Sequence, residues 1–106
     1  MSLVFVAHPE ASAELKADIL WYEEQDDGLG ERFGAAVYAL INDLLVWPDS
    51  GAIWPDAHPA LTVRSYGVPG FPYRVVYAVR GVDLYVAAFA HNKRKPGYWR
   101  YRFNAA

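Results

Sequence analysis

Two amphipathic helical stripes separated by three residues constrain this chain most. Ala11, Leu15, Ile19 and Tyr22 fall at i, i+4, i+8 and i+11, the spacing of one apolar helix face. Phe33, Val37, Leu40, Ile41 and Leu44 form a second, longer stripe that stops at Trp47-Pro48. Gly28-Leu29-Gly30 joins them, and so short a link predicts an antiparallel helical hairpin. Pro9 suits the first turn of the first helix, and Glu10 and Glu14 complement its dipole.

The helices are flanked by strand-like segments. Leu3 to Ala7 is a short apolar run of the kind buried on both faces. Residues 48–59 form a loop of about a dozen residues holding three prolines, and unstructured loops of that length are often functional. Leu61 to Tyr66 alternates weakly, Gly67-Val68-Pro69-Gly70 is a turn, and Tyr73 to Val79 is β-branched and aromatic. Arg80-Gly81-Val82-Asp83 makes a hairpin turn into Leu84–Ala90, apolar on both faces. The expected fold is α+β, one domain over residues 1–106. It is a β-α-α-β-β-β order with the hairpin on one face of an antiparallel-dominated sheet and the other face left open.

Composition removes several classes of function. Hydrophobic residues make up 54% and charged ones 21%, which excludes disorder as an overall description. With no cysteine, disulfides, Cys-ligated metals and thiol nucleophiles are impossible. No carboxylate cluster suits a hard metal, no glycine-rich loop joins a strand to a helix, and neither metal nor cofactor is expected. No apolar stretch approaches the roughly 20 residues of a membrane span, so a cytoplasmic protein without membrane contact is expected.

Charge is strongly segregated. Residues 1–63 carry two basic and eleven acidic side chains, a formal −9, and residues 64–106 carry eight basic and one acidic, a formal +7. Such a dipolar chain offers an electropositive region to an anionic partner. Arg64 and Arg74, on neighbouring predicted strands, both could face the open side of the sheet and hold a phosphate or carboxylate. Lys93, Arg94, Lys95, Arg100 and Arg102 interleave with Tyr98, Trp99 and Tyr101. This mix suits single-stranded nucleic acid, and equally a tail that packs its aromatics and exposes its charges. In the second case Tyr98 and Trp99 pack while Arg94, Arg100 and Arg102 stay near solvent. His91, at a strand end amid cations, is either a general base near neutral pH or a polar strand-end residue. Glutamates occur only at 10, 14, 23, 24 and 31, so no Glu–His pair is expected on the open sheet face.

Four segments together resemble the RelE/ParE superfamily of type II toxins. They are His8-Pro9-Glu10-Ala11 with Trp21-Tyr22, Gly28-Leu29-Gly30-Glu31-Arg32-Phe33, Val63-Arg64 with Phe71-Pro72-Tyr73-Arg74-Val75-Val76-Tyr77, and Ala90-His91-Asn92-Lys93-Arg94-Lys95-Pro96-Gly97-Tyr98-Trp99. The resemblance covers residues 3–102 in the family's order. It implies a plasmid-stabilisation type of toxin, bacterial, neutralised by a cognate antitoxin whose C-terminal segment folds on binding. RelE-like members resemble ribonucleases that cut mRNA in the ribosome, and ParE-like members inhibit DNA gyrase without chemistry of their own. Lysines occur only at 16, 93 and 95, and the glutamate base is missing. These departures place the chain nearer the ParE-like branch, with no direct DNA binding expected. A ribonuclease reading would use His91 as base, Arg74 on the phosphate and Tyr98 in support. A third reading is a relative that keeps only antitoxin binding. Antitoxin or target contacts would fall on Arg64, Arg74, Lys93, Arg94, Lys95, Arg100 and Arg102.

Overall fold

The computed structural model describes residues 2–104. Strand β1 (Val4–Ala7) leads into helices α1 (Pro9–Gln25) and α2 (Leu29–Val46). A 3-10 turn (Pro48–Ser50) and strands β2 (Ala52–Ile53), β3 (Arg64–Gly67), β4 (Tyr73–Arg80) and β5 (Asp83–His91) follow, and a second 3-10 turn (Arg100–Phe103) ends the described chain. The sheet order is β1-β5-β4-β3-β2. Only the β1–β5 pairing is parallel; the other three are antiparallel.

Local chemistry explains the helix boundaries. His8 closes the start of α1 by accepting the Glu10 amide on Nδ1 at 3.1 Å, and Pro9 occupies the first turn, where a missing N–H costs nothing. Gly28 adopts φ 84°, a left-handed conformation that disfavours a side chain. It therefore cannot cap α2 itself. The Glu23 carboxylate does so, accepting from Gly28 N at 2.8 Å and Gly30 N at 3.0 Å. Gly30 lets the helices touch: a Cβ there would collide with the Ile19 carbonyl oxygen and lie 2.9 Å from Glu23 Cβ.

The α2 stripe is buried as its spacing requires, and α1 buries Ala11 and Leu15 with Ile19 and Tyr22 packed alongside. They cover Val75, Tyr77, Leu84, Val86 and Phe89 on one sheet face. The opposite face is not open, contrary to expectation. Val63, Trp99 and Phe103 are buried there against Val76, Ala78, Tyr85 and Ala88, with Trp54 and Leu61 packed over them. The reason is the composition of β4 and β5: strands apolar on both faces cannot leave either to water. Both α-helices lie on one face of the sheet, and irregular chain supplies the third layer.

Two further differences concern the loop. It contains the two-residue β2, an edge strand paired with β3 through Ala52–Ser65 and Ile53–Arg64. Residues 61–63, read as strand, belong to the covering loop. Two paired residues give too little periodicity to be read from sequence.

Overpacking at the helix junction makes Gly30→Ala costly, by about 1–3 kcal/mol, measurable by urea denaturation. Gly28 and the other amides hold the Glu23 carboxyl below its ordinary range. That stabilisation is complete above the unfolded carboxyl's pKa of about 4.3 and is lost as pH falls through the lower folded value. Urea midpoints of wild type and Glu23→Gln should therefore differ at neutral pH and converge in acid.

Candidate functional site

The basic tail is held to the body by two carboxylates of α1. Past the bond from His8 N to the Val86 carbonyl at 3.0 Å, β5 has no strand on its β1 side among the described residues, and the pairing of Val76 with Ala88 and Tyr77 with Val86 leaves Ala87 unpaired. Buried ladder groups without a strand partner need other partners. Arg102 and Glu14 provide them. Arg102 Nη1 donates to the Ala87 carbonyl at 3.0 Å, and Phe89 N donates to Glu14 Oε1 at 3.3 Å. The two side chains then pair with each other, Nη1 to Oε1 at 3.0 Å and Nη2 to Oε2 at 3.2 Å. Glu10 lies 3.2 Å from Arg102 Nε and also accepts from the Tyr101 hydroxyl. Tyr98 donates to Glu14 Oε2 at 2.7 Å, and Tyr85 donates to the Arg102 carbonyl at 2.6 Å. Burial opposes the charge on Arg102, but Glu14 outweighs it and raises the guanidinium pKa.

This clasp builds one wall of a cavity of about 170 Å³ on the sheet face away from the helices. Arg74, Ser65, Trp54, Lys95, Tyr98 and Trp99 are among its lining. Arg74 donates to Ser65 Oγ from Nε at 3.0 Å and to the Ser65 carbonyl from Nη2 at 3.2 Å. Arg94 stacks on Tyr98 with Cζ 4.0 Å from the ring centre. Burial, then the hydrogen bond to Glu14, pushes the Tyr98 phenol well above its ordinary range. Tyr98 is thus a neutral donor at physiological pH, already committed to a carboxylate.

Residues 5–103 match the family described as ParE toxin of type II toxin-antitoxin system, parDE. The chain belongs to this ParE toxin family. No curated protein matches it in sequence. Membership makes this chain a type II toxin-antitoxin toxin with an antitoxin partner. No helix among the described residues is long and apolar enough to cross a membrane.

Within this ParE toxin the two expected strand arginines divide by sheet face. Arg64 pairs in register with Tyr77 and Arg74 with Gly67. Positions 74 and 77 differ by an odd number, so the two arginines face opposite sides, not one open side. Arg64 donates to the carbonyls of Asp49 at 3.1 Å and Gly51 at 2.9 Å. His91 pairs with Tyr73, and its ring packs edge-on against that tyrosine at 5.0 Å, on the helix side. Its Nδ1 accepts from Lys93 N at 3.0 Å. His91 nevertheless reaches the cavity on the other face, whose lining it shares with Arg74 and Tyr98.

The tail reading holds for Trp99, which is buried, and for Arg94 and Arg100, which are exposed. Arg102 corrects it: the residue is only 4% exposed, because its guanidinium completes the β5 edge. Lys93, Lys95 and Arg100 are exposed and make no ion pair among the described residues. Glu14 was missed as a site residue because no glutamate lies on a strand. A signal existed in sequence: Glu10, Glu14 and Asp18 recur every four residues beside the apolar stripe. Such a row of like charge on one helix is self-repelling, and it calls for cations from elsewhere.

Breaking a buried ion pair strands its partner, so Arg102→Met or Glu14→Gln alone should each cost about 3–5 kcal/mol. The double variant should cost less than the sum, read by chemical denaturation as a double-mutant cycle. Truncation after Lys95 should lower the thermal midpoint.

Proposed function

We propose that this toxin inhibits growth by binding DNA gyrase, without catalysis of its own, and that a cognate antitoxin neutralises it through a C-terminal segment that folds on its surface. One observation carries the non-catalytic reading. His91, Arg74 and Tyr98 all line the cavity of about 170 Å³, but each is already engaged: His91 Nδ1 accepts from Lys93 N and its ring packs on Tyr73, Arg74 is bonded to Ser65, and Tyr98 donates to Glu14. No carboxylate is among that cavity's lining, and Glu14, which Tyr98 contacts, is taken up by Arg102. General acid–base catalysis needs donor and acceptor within hydrogen-bond reach of one reacting group.

Antitoxin capture has two supports. The first is a cavity of about 570 Å³ lined by Leu40, Leu44, Trp47, Tyr66 and Pro69 among others. Trp47 is 69% exposed and the adjoining Val46 is exposed too, and a patch of this kind suits the apolar face of an added helix or strand. The second is the set of cations around the clasp, Arg74, Lys93, Lys95 and Arg100 together with the exposed Arg94, 3.9 Å from Glu14, which would speed capture of an acidic chain. Coupled folding forfeits several kcal/mol to ordering, so the wrapped interface is expected to be large, on the order of 2,000 Å².

Gyrase supercoiling and ribosome-bound mRNA cleavage, assayed in parallel with purified toxin, test the target. Inhibition of supercoiling without mRNA cuts is expected. Codon-phased cuts would instead support the ribonuclease reading, and neither effect would support a relative that only binds antitoxin. For the antitoxin, Trp47→Ala should leave a complex that dissociates at about 1 M salt, where charge attraction is screened within about 3 Å. Lys93→Glu with Lys95→Glu should slow association, measured by stopped flow.

A further inference from the structure

The acidic row on α1 is matched by the tail at two of its three positions. Glu10 and Glu14 meet Arg102. Asp18, one turn further, has no cation within ion-pair distance among the described residues. It is nevertheless half-buried, in the wall of a second cavity of about 450 Å³ on the helix side, which shares His91 with the cavity beside Arg74. Trp21, Tyr22, Pro72, Tyr73 and His91 complete that wall. Their rings form a connected series: Trp21 to Tyr22 at 5.2 Å, Tyr22 to Tyr73 at 6.2 Å and Tyr73 to His91 at 5.0 Å, at interplanar angles of 73°, 63° and 82°. Trp21 is 54% exposed and the adjoining Leu20 64%, so the rim is apolar and accessible.

We infer that this cavity receives an arginine side chain projecting from a partner polypeptide. Aromatic faces attract cations through the ring quadrupole. A half-buried carboxylate lacking a cation adds charge attraction where water screens it poorly. An anion would be repelled by Asp18, and a neutral apolar group would strip its water without replacing it. A planar guanidinium meets both needs at once, forking onto the carboxylate and lying flat on an indole. The exposed apolar rim favours a polypeptide over a free metabolite, because it offers area for flanking residues, and arginine and tryptophan commonly anchor interfaces. Burial pushes the Asp18 carboxyl above its ordinary range, opposed by the Tyr73 hydroxyl beside it, raised further by Glu14 and lowered by His91 and Arg94. An acid whose folded pKa is raised costs stability at neutral pH. Asp18→Asn should therefore keep or raise the thermal midpoint.

The test is independent of which target the toxin engages. Isotope-labelled full-length toxin is titrated with an end-blocked Ala-Arg-Ala peptide, and amide and indole shifts are followed by NMR. Saturable millimolar shifts at Trp21, Tyr73 and His91 are expected. Asp18→Asn should weaken binding about tenfold or more, the equivalent of 1.4 kcal/mol. Trp21→Ala, at an exposed position, should also weaken it while the remaining spectrum stays that of the folded protein. Equal binding of an Ala-Gln-Ala peptide, shifts elsewhere on the surface, or unchanged affinity in Asp18→Asn would overturn the inference. Tighter binding of free arginine than of the blocked peptide would overturn the polypeptide assignment.

Discussion

The Glu14–Arg102 pair is the interaction on which both faces of this protein depend. It sits where β1 stops and β5 continues, and it gives the Ala87 carbonyl and the Phe89 amide the partners a missing strand would have supplied. A buried ion pair is often no more stable than the apolar residues that could replace it. Here its hydrogen bonds to the ladder give it a second task. It closes a sheet edge that would otherwise recruit a foreign strand, and it does so with a residue from each end of the chain.

The tail's path follows from that clasp. With Arg102 anchored, Trp99 and Phe103 are drawn onto Val76, Tyr85 and Ala88, where Trp99 meets Trp54 from the long loop at 5.2 Å. Loop and tail together form the layer that hydrophobic strands demand on the second face. The cavity beside Arg74 is a product of this arrangement, since three of its lining residues, Tyr98, Trp99 and Trp54, come from irregular chain.

Charge segregation acquires a more specific meaning in three dimensions. Part of the positive half is spent internally: Arg102 on α1, Arg64 on the carbonyls of Asp49 and Gly51, and Arg80 over the Tyr85 ring at 4.2 Å. The cations that remain outward cluster in the turn after β5. On the acidic side, Glu10, Glu14 and Glu23 all serve the fold. Asp18 meets no cation among the described residues, and with the aromatic rings beside it lines a second cavity that shares His91 with the tail cavity.

The helical hairpin was legible in the sequence because 3.6-residue periodicity and a three-residue glycine link are local properties. The same holds for β4, β5 and the placement of Arg74 opposite Tyr73 and Val75, which follows from the two-residue period of a strand. The family was legible too, through four motifs in register. What local pattern could not supply was pairing between distant segments. Whether Arg64 shared a face with Arg74 hung on the β3–β4 register, and a shift of one residue reverses every side chain. Which cation met Glu14 hung on the tail's return across the molecule, 88 residues along the chain. The sequence by itself determined the elements, their apolar faces and the excess of charge in each half. Only the tertiary structure decided which charges were consumed and which stayed free, because an ion pair forms where burial and geometry bring two groups together, and neither is encoded at any single position.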